Sequence, residues 1–176
     1  MADKKLNEGF GYGQIELNQC AFRRDGRIEA QCKIANTIDF IENGGIFAID
    51  NVKHEIGYPA ADSYMFGLNY TSEHMYDERL VGGLKYYKTD KDSFLPRLGY
   101  LAVGDKYTTN TVIYDDALTL TNAVYGYVKD GDKGYIRLSA TEPSDAIAGA
   151  PLLRVIDAKA TMPNGAPAVK FQCIKA

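Results

Sequence analysis

The chain has 176 residues, a formal net charge of -3 and 45% hydrophobic residues. That length suits one domain with a real core, and the slight acidity excludes the surplus of Lys and Arg that a sequence-independent grip on nucleic acid requires. Thirteen Tyr and no Trp point to sheets with half-wet faces, where a ring packs and its hydroxyl stays in water.

Residues 1–13 read as a flexible arm. Met1-Ala2-Asp3-Lys4-Lys5 opens no apolar signal segment. Gly9-Phe10-Gly11-Tyr12-Gly13 alternates glycine with aromatics and follows neither a helical nor a strand period. The expectation is a disordered tail or, in the functional reading, an arm that orders against a neighbouring subunit with Phe10 and Tyr12 as its anchors.

The next segment reads as a hairpin. Ile15 to Arg24 and Arg27 to Asn36 flank Asp25-Gly26, a two-residue turn signal. Pairing Arg24 with Arg27 puts Ile15, Leu17, Ala21, Ile28, Ala30, Cys32 and Ile34 on one apolar face and most of the charged residues on the other. Cys20 and Cys32 then face opposite ways, which forbids a disulfide between them. Asn43-Gly44-Gly45 is a turn, and Ile46-Phe47-Ala48-Ile49 is a short apolar strand able to be buried on both faces. Tyr64 to Tyr70 is a further strand.

Residues 71–97 form one long irregular excursion. Within it Ser72 to Leu80 is a candidate short helix, ended by Gly82-Gly83, and Lys85 to Ser93 is a charged, exposed loop. Strands return at Gly99 to Val103 and Tyr107 to Tyr114. Residues 122–129 and 135–140 make a second hairpin across Asp130-Gly131-Asp132-Lys133-Gly134. The last hairpin joins Leu152–Met162 to Pro167–Ile174 through Asn164-Gly165. Its expected register sets Ile156 opposite Cys173, Ala158 opposite Phe171 and Ala160 opposite Val169. That register also sets Lys159 against Lys170, a like-charge fault.

Strands at short, regular spacing imply an all-β fold, a β-sandwich or small β-barrel built from hairpins. The expected organisation is the arm at 1–13 and a single β domain over 14–176.

Chemistry-bearing patterns are sparse. His54 and His74 stand in no metal-binding spacing, and no Cys-x-x-Cys occurs. An odd count of three Cys argues for reduced thiols made in a cytoplasm. No apolar run approaches the ~20 residues of a membrane span. There is no Gly-x-Ser-x-Gly elbow. Asp77-Glu78 and Asp115-Asp116 read as solvated charge, and the Asp130–Gly134 run as a turn lacking calcium-loop ligands. The reading is a non-enzymatic chain with no cofactor and no catalytic or metal-ligating residues. Tyr86-Tyr87 and the alternating pair Tyr125 and Tyr127 are candidate partner contacts, or a stacking platform for a carbohydrate.

Two stretches carry a resemblance. Leu101-Ala102-Val103-Gly104-Asp105-Lys106-Tyr107-Thr108-Thr109-Asn110 resembles a segment of small head-associated proteins of tailed phages. Met162-Pro163-Asn164-Gly165-Ala166-Pro167-Ala168-Val169-Lys170 is similar to the closing hairpin of the same group. The resemblance covers residues 99–176. It implies a capsid decoration or auxiliary subunit of the virion, present in multiple copies or as a homo-oligomer. Its implied partners are the major capsid protein or other virion subunits, with no direct contact to nucleic acid or membrane. A phage tail or connector component is a variant of this expectation. A carbohydrate- or ligand-binding β-module is the alternative of another class.

Overall fold

A computed structural model describes residues 3–71, 88–90 and 95–176, the second of these as backbone only. In chain order the first elements are β1 (Asp3–Lys5), β2 (Ile15–Gln19), a short helix α1 (Ala21–Asp25), β3 (Ile28–Glu29), β4 (Lys33–Ile34), β5 (Phe40–Glu42), β6 (Ile46–Asp50), β7 (Glu55–Gly57) and β8 (Phe66–Asn69). They are followed by β9 (Lys88–Asp90), β10 (Leu98–Gly99), β11 (Lys106–Thr109), β12 (Val112–Asp115), β13 (Tyr125–Tyr127), β14 (Ile136–Ser139), β15 (Leu152–Thr161) and β16 (Pro167–Lys175).

The strands build an eight-stranded sheet, β1-β12-β14-β13-β15-β16-β11-β2, and a six-stranded sheet, β3-β10-β8-β6-β7-β4. A separate pair joins β5 to β9. Both large sheets are mixed, since β12 runs parallel to β14 and β4 parallel to β7. Neither closes on itself among the described residues. The chain is therefore an all-β sandwich, not a barrel.

The main core lies between the sheets. Ile46, Phe66 and Leu68 of the smaller sheet belong to one buried cluster with Tyr107, Val112, Ile136, Leu153 and Phe171 of the larger. A second cluster gathers Phe47, Ile49, Ile56 and Leu98 with Cys32, Ile34, Ile38 and Ile41. Ile46 thus joins one core while Phe47 and Ile49 join the other, so β6 is buried on both faces, as its unbroken apolar run implies.

The expected hairpin over residues 15–36 does not form. β2 pairs with β11, β3 with β10 and β4 with β7. Asp25-Gly26 is instead the end of α1, where Gly26 takes the left-handed conformation (φ 69°) and its N–H bonds the Phe22 carbonyl. The deciding residue is Phe22. On the expected hairpin it shares the face of Arg24, whereas here it is fully buried. Its ring lies across Gly99, where an added Cβ would come within 2.4 Å of it, and 5.1 Å from the ring of Tyr70. Burying one large aromatic ring outweighs a local turn preference.

The two later hairpins do form. β13 pairs with β14, Tyr127 facing Arg137, and β15 pairs with β16. The register of the last differs from expectation. Leu153 faces Cys173 and Val155 faces Phe171, with irregularities on either side of Asp157. Ile156 is consequently 43% exposed. The shift sets Asp157 opposite Lys170, replacing the like-charge contact of the expected register with an opposite-charge one. The expected arm also differs, for its first described residues are strand β1, paired in register with Ile113–Asp115. The expected helix at 72–80 lies outside the described residues. Part of the expected loop at 85–93 is strand β9.

Two substitutions check this packing. Phe22→Ala is expected to lower the unfolding free energy by about 3–5 kcal/mol in urea titration, and a loss below about 1 kcal/mol would contradict the burial. Tyr107 presents the opposite case. Its hydroxyl is buried with no hydrogen-bond partner, while the neighbouring Cys20 and Cys173 thiols donate to the Lys106 and Lys175 carbonyls. Tyr107→Phe removes an unsatisfied donor and keeps the shape, so thermal denaturation should show unchanged or raised stability. A marked loss would reveal a hydrogen bond to that hydroxyl.

Candidate functional site

Four distant stretches converge through buried polar groups. The Gln14 N–H donates to Asn110 Oδ1 (2.6 Å), and Thr109 Oγ1 donates to the Gln14 carbonyl (2.7 Å). Thr111 Oγ1 donates to the Asn43 carbonyl. Asn69 Nδ2 donates to the Glu42 carbonyl (3.0 Å), and the Gly44 N–H to the Asn69 carbonyl (2.8 Å). Gly44 has φ 79°, and an added Cβ would lie 1.9 Å from Thr109 Oγ1. The turn after β5 is thus clamped against both sheets.

This clamp holds Glu42, which is 6% exposed. Its Oε2 accepts the Gly13 N–H at 2.6 Å. Its Oε1 faces the Tyr135 hydroxyl at 3.5 Å, and Asn7 Nδ2 donates to that hydroxyl at 3.3 Å. The Lys5 ammonium sits over the Tyr135 ring, 4.5 Å from its centroid. Burial, then the Glu42 charge, pushes the Tyr135 phenol up to about 12. Burial, with Asp39 and Glu42 nearby, raises the Tyr58 phenol too.

Together these groups line a cleft of about 460 Å³, with Phe40, Tyr58 and Tyr135 as its aromatic surfaces. That volume falls within the roughly 300–1,000 Å³ of small-molecule sites. One wall is the N-terminal segment, through Lys5, Asn7, Glu8 and Gly11. β1 is held there by Arg137, whose guanidinium grips Asp3 (2.7 and 3.0 Å) and Asp132 (2.6 and 2.7 Å). Asp132 is therefore engaged within its turn, in keeping with the reading of Asp130–Gly134 as a hairpin connection.

The residues singled out from sequence are dispersed. Phe10 is 38% exposed, on a turn in which the Phe10 and Gly11 N–H groups bond the Asn7 carbonyl. Tyr12 is half-buried. Tyr86 and Tyr87 lie outside the described residues, as does His74. Tyr125 is half-buried, with the Arg154 guanidinium 5.3 Å from its ring centroid. Tyr127 is only 5% exposed and its hydroxyl bonds Asp145. Burial and that carboxylate raise its phenol above the usual range. Tyr125 and Tyr127 therefore form no open stacking platform, because the second ring is closed into the core.

Among the described residues no three His, Cys, Asp or Glu side chains gather where a metal ion could be held. Burial pushes the Cys32 and Cys173 thiols up to about 11, which keeps them protonated at neutral pH. No helix among those residues is long and apolar enough to cross a membrane. Glu42, Tyr58 and Tyr135 were not among the residues that the sequence singled out. The one signal was Glu42, a lone charge between Ile41 and the Asn43-Gly44-Gly45 turn. No protein-family model, curated protein or solved structure matches the chain.

The wall of the cleft should respond to pH through Asp3. The Arg137 hydrogen bonds lower its pKa from the ordinary 3.8. Its contribution is therefore complete above that value and lost as pH falls through the lowered one. The Leu6 N–H, which bonds the Val112 carbonyl at 2.9 Å, reports on β1. Its hydrogen-exchange protection factor should be level above about pH 4 and fall below it, while Arg137→Gln should be poorly protected throughout. Equal protection in both proteins would show that the ion network does not hold the strand.

Proposed function

We propose that this chain is a non-enzymatic structural subunit of a tailed-phage virion, seated on the assembled head as a decoration or minor capsid protein. The observation that carries the reading is the adjacency of its two resembling stretches. β11, within 101–110, pairs with β16 of the closing hairpin. The Gly104 N–H bonds the Cys173 carbonyl, and the Cys173 N–H bonds the Asp105 carbonyl, both at 2.8 Å. Asp105 also accepts the Ala102 N–H and the Ala21 N–H, at 2.9 and 2.7 Å. The two stretches are one structural unit in the larger sheet.

That unit also supplies a contact surface. Val103 is 69% exposed and Ile174 is 40% exposed, each one residue from the Gly104–Cys173 hydrogen bond. Apolar side chains displayed by two rigidly joined segments suit docking onto a shell. The partners under this reading are the major capsid protein or other virion subunits, and the location is the virion. A place in the tail or connector is its nearest variant. The ligand-binding alternative loses the Tyr125/Tyr127 platform to the burial of Tyr127.

Co-sedimentation of the purified chain with assembled phage heads, imaged by electron microscopy, tests the reading. Saturable, regularly spaced density is expected. Val103→Asp and Ile174→Asp should each weaken binding roughly tenfold or more and leave the fold intact, since both residues are exposed. Wild-type protein that leaves heads bare would overturn the head assignment, and binding that ignores both changes would overturn the contact surface.

A further inference from the structure

We infer that the cleft between the N-terminal segment and β5 is a binding site for a small neutral saccharide. The inference does not depend on the virion reading. It rests on what the cleft offers and on what it has already satisfied.

Charge comes first. Glu8, Asp39 and Glu42 supply three carboxylates, and Lys5 and Lys133 supply two ammonium groups. The carboxylates would repel a phosphate or a sulfate. A cationic ligand would meet a site whose own ammonium already covers the Tyr135 ring at 4.5 Å. A neutral ligand loses least, because burying it strips no charge of its water.

Hydrogen-bonding capacity comes second. Ammonium, amide and phenol groups donate, and carboxylates accept, from within one small volume. A sugar hydroxyl is both donor and acceptor, so it can use neighbouring groups of both kinds, and bonds to charged partners are the stronger class. Aromatic surface comes third. Phe40 and Tyr58 line the cleft, and Tyr58 is steadied by the Phe47 ring, 6.4 Å away between centroids. A sugar's face of C–H groups packs on such rings. The floor is also preorganised, since the buried polar clamp fixes Glu42 before any ligand arrives.

The test uses the full-length chain and saturation-transfer NMR with glucose, galactose, N-acetylglucosamine, N-acetylgalactosamine and their disaccharides. At least one should bind, with a dissociation constant of about 1 mM or tighter. Asp39→Ala and Lys133→Ala, both at exposed positions, should each weaken it roughly tenfold, as the loss of one charge-assisted hydrogen bond does. Hydrogen exchange on the wild-type chain should show added protection at residues 5–11, 37–42 and 133–135 with that sugar. No transfer to any sugar would overturn the inference. So would protection confined to other segments, or affinity unchanged in both variants. Preferential binding of Nα-acetyl-lysine amide would overturn it in favour of an ammonium site.

Discussion

The buried polar clamp joining Gln14, the turn at Asn43-Gly44, Asn69 and the Thr109–Thr111 stretch is the constraint on which the rest of this sandwich depends. Apolar packing between two sheets is strong but weakly directional, and many sheet offsets would bury similar area. The Thr111 hydroxyl donates across to the Asn43 carbonyl, and the bonds from Gln14 to Asn110 and from Asn69 to Glu42 fix the two ends of that contact, so the set favours one offset. The Thr111 hydroxyl and the Asn43 carbonyl are out of water, so slipping the sheets would leave both unpaired, each at a cost of about 1–3 kcal/mol. Gly44 makes the approach possible, because no other residue fits between its backbone and Thr109.

What this clamp positions is a floor, and what the N-terminal segment adds is a wall. The cleft exists because Glu42 is held in place on one side while Lys5 and Asn7 are brought to Tyr135 on the other. Arg137 links the wall to the body through carboxylates from both, Asp3 in β1 and Asp132 in the turn before β14. The larger sheet therefore serves two ends. Its β1 side builds the cleft, and its β16–β11 side joins the stretches that present Val103 and Ile174.

Much of the fold was legible where the signal was local. Asn164-Gly165 between two alternating runs, and a glycine-rich turn before Tyr135, each marked a hairpin that the structure contains. The apolar run at Ile46–Ile49 marked a strand buried on both faces. Asp25-Gly26 misled because a left-handed glycine also ends a helix, and the choice was made by Phe22 meeting Gly99, far away in the chain. The strand register of the last hairpin misled because irregularities around Asp157 are invisible to a strict alternation. The cleft was illegible for a related reason. Glu42, Tyr58 and Tyr135 follow no spacing, and only the folded sheets bring them near Lys5 and Asn7.

The order of strands in the larger sheet bears on how the chain comes to be folded. β15 and β16, last in chain order among the described strands, lie in the middle of that sheet, with β13 on one side and β11 on the other. β1 and β2, first in chain order among the described strands, are its two outer edges. Neither edge can find its partner until a distant stretch has been synthesised, since β2 waits for Thr109 and β1 for Asp115. The centre cannot be filled until β15 and β16 have been made. Pairings this distant are slow to form, because the loops between partners must close before any contact rewards them. The larger sheet is therefore completed only once β15 and β16 have joined it. Until then β11 lacks its β16 neighbour, and its open strand edge is the stretch most exposed to pairing with the wrong chain.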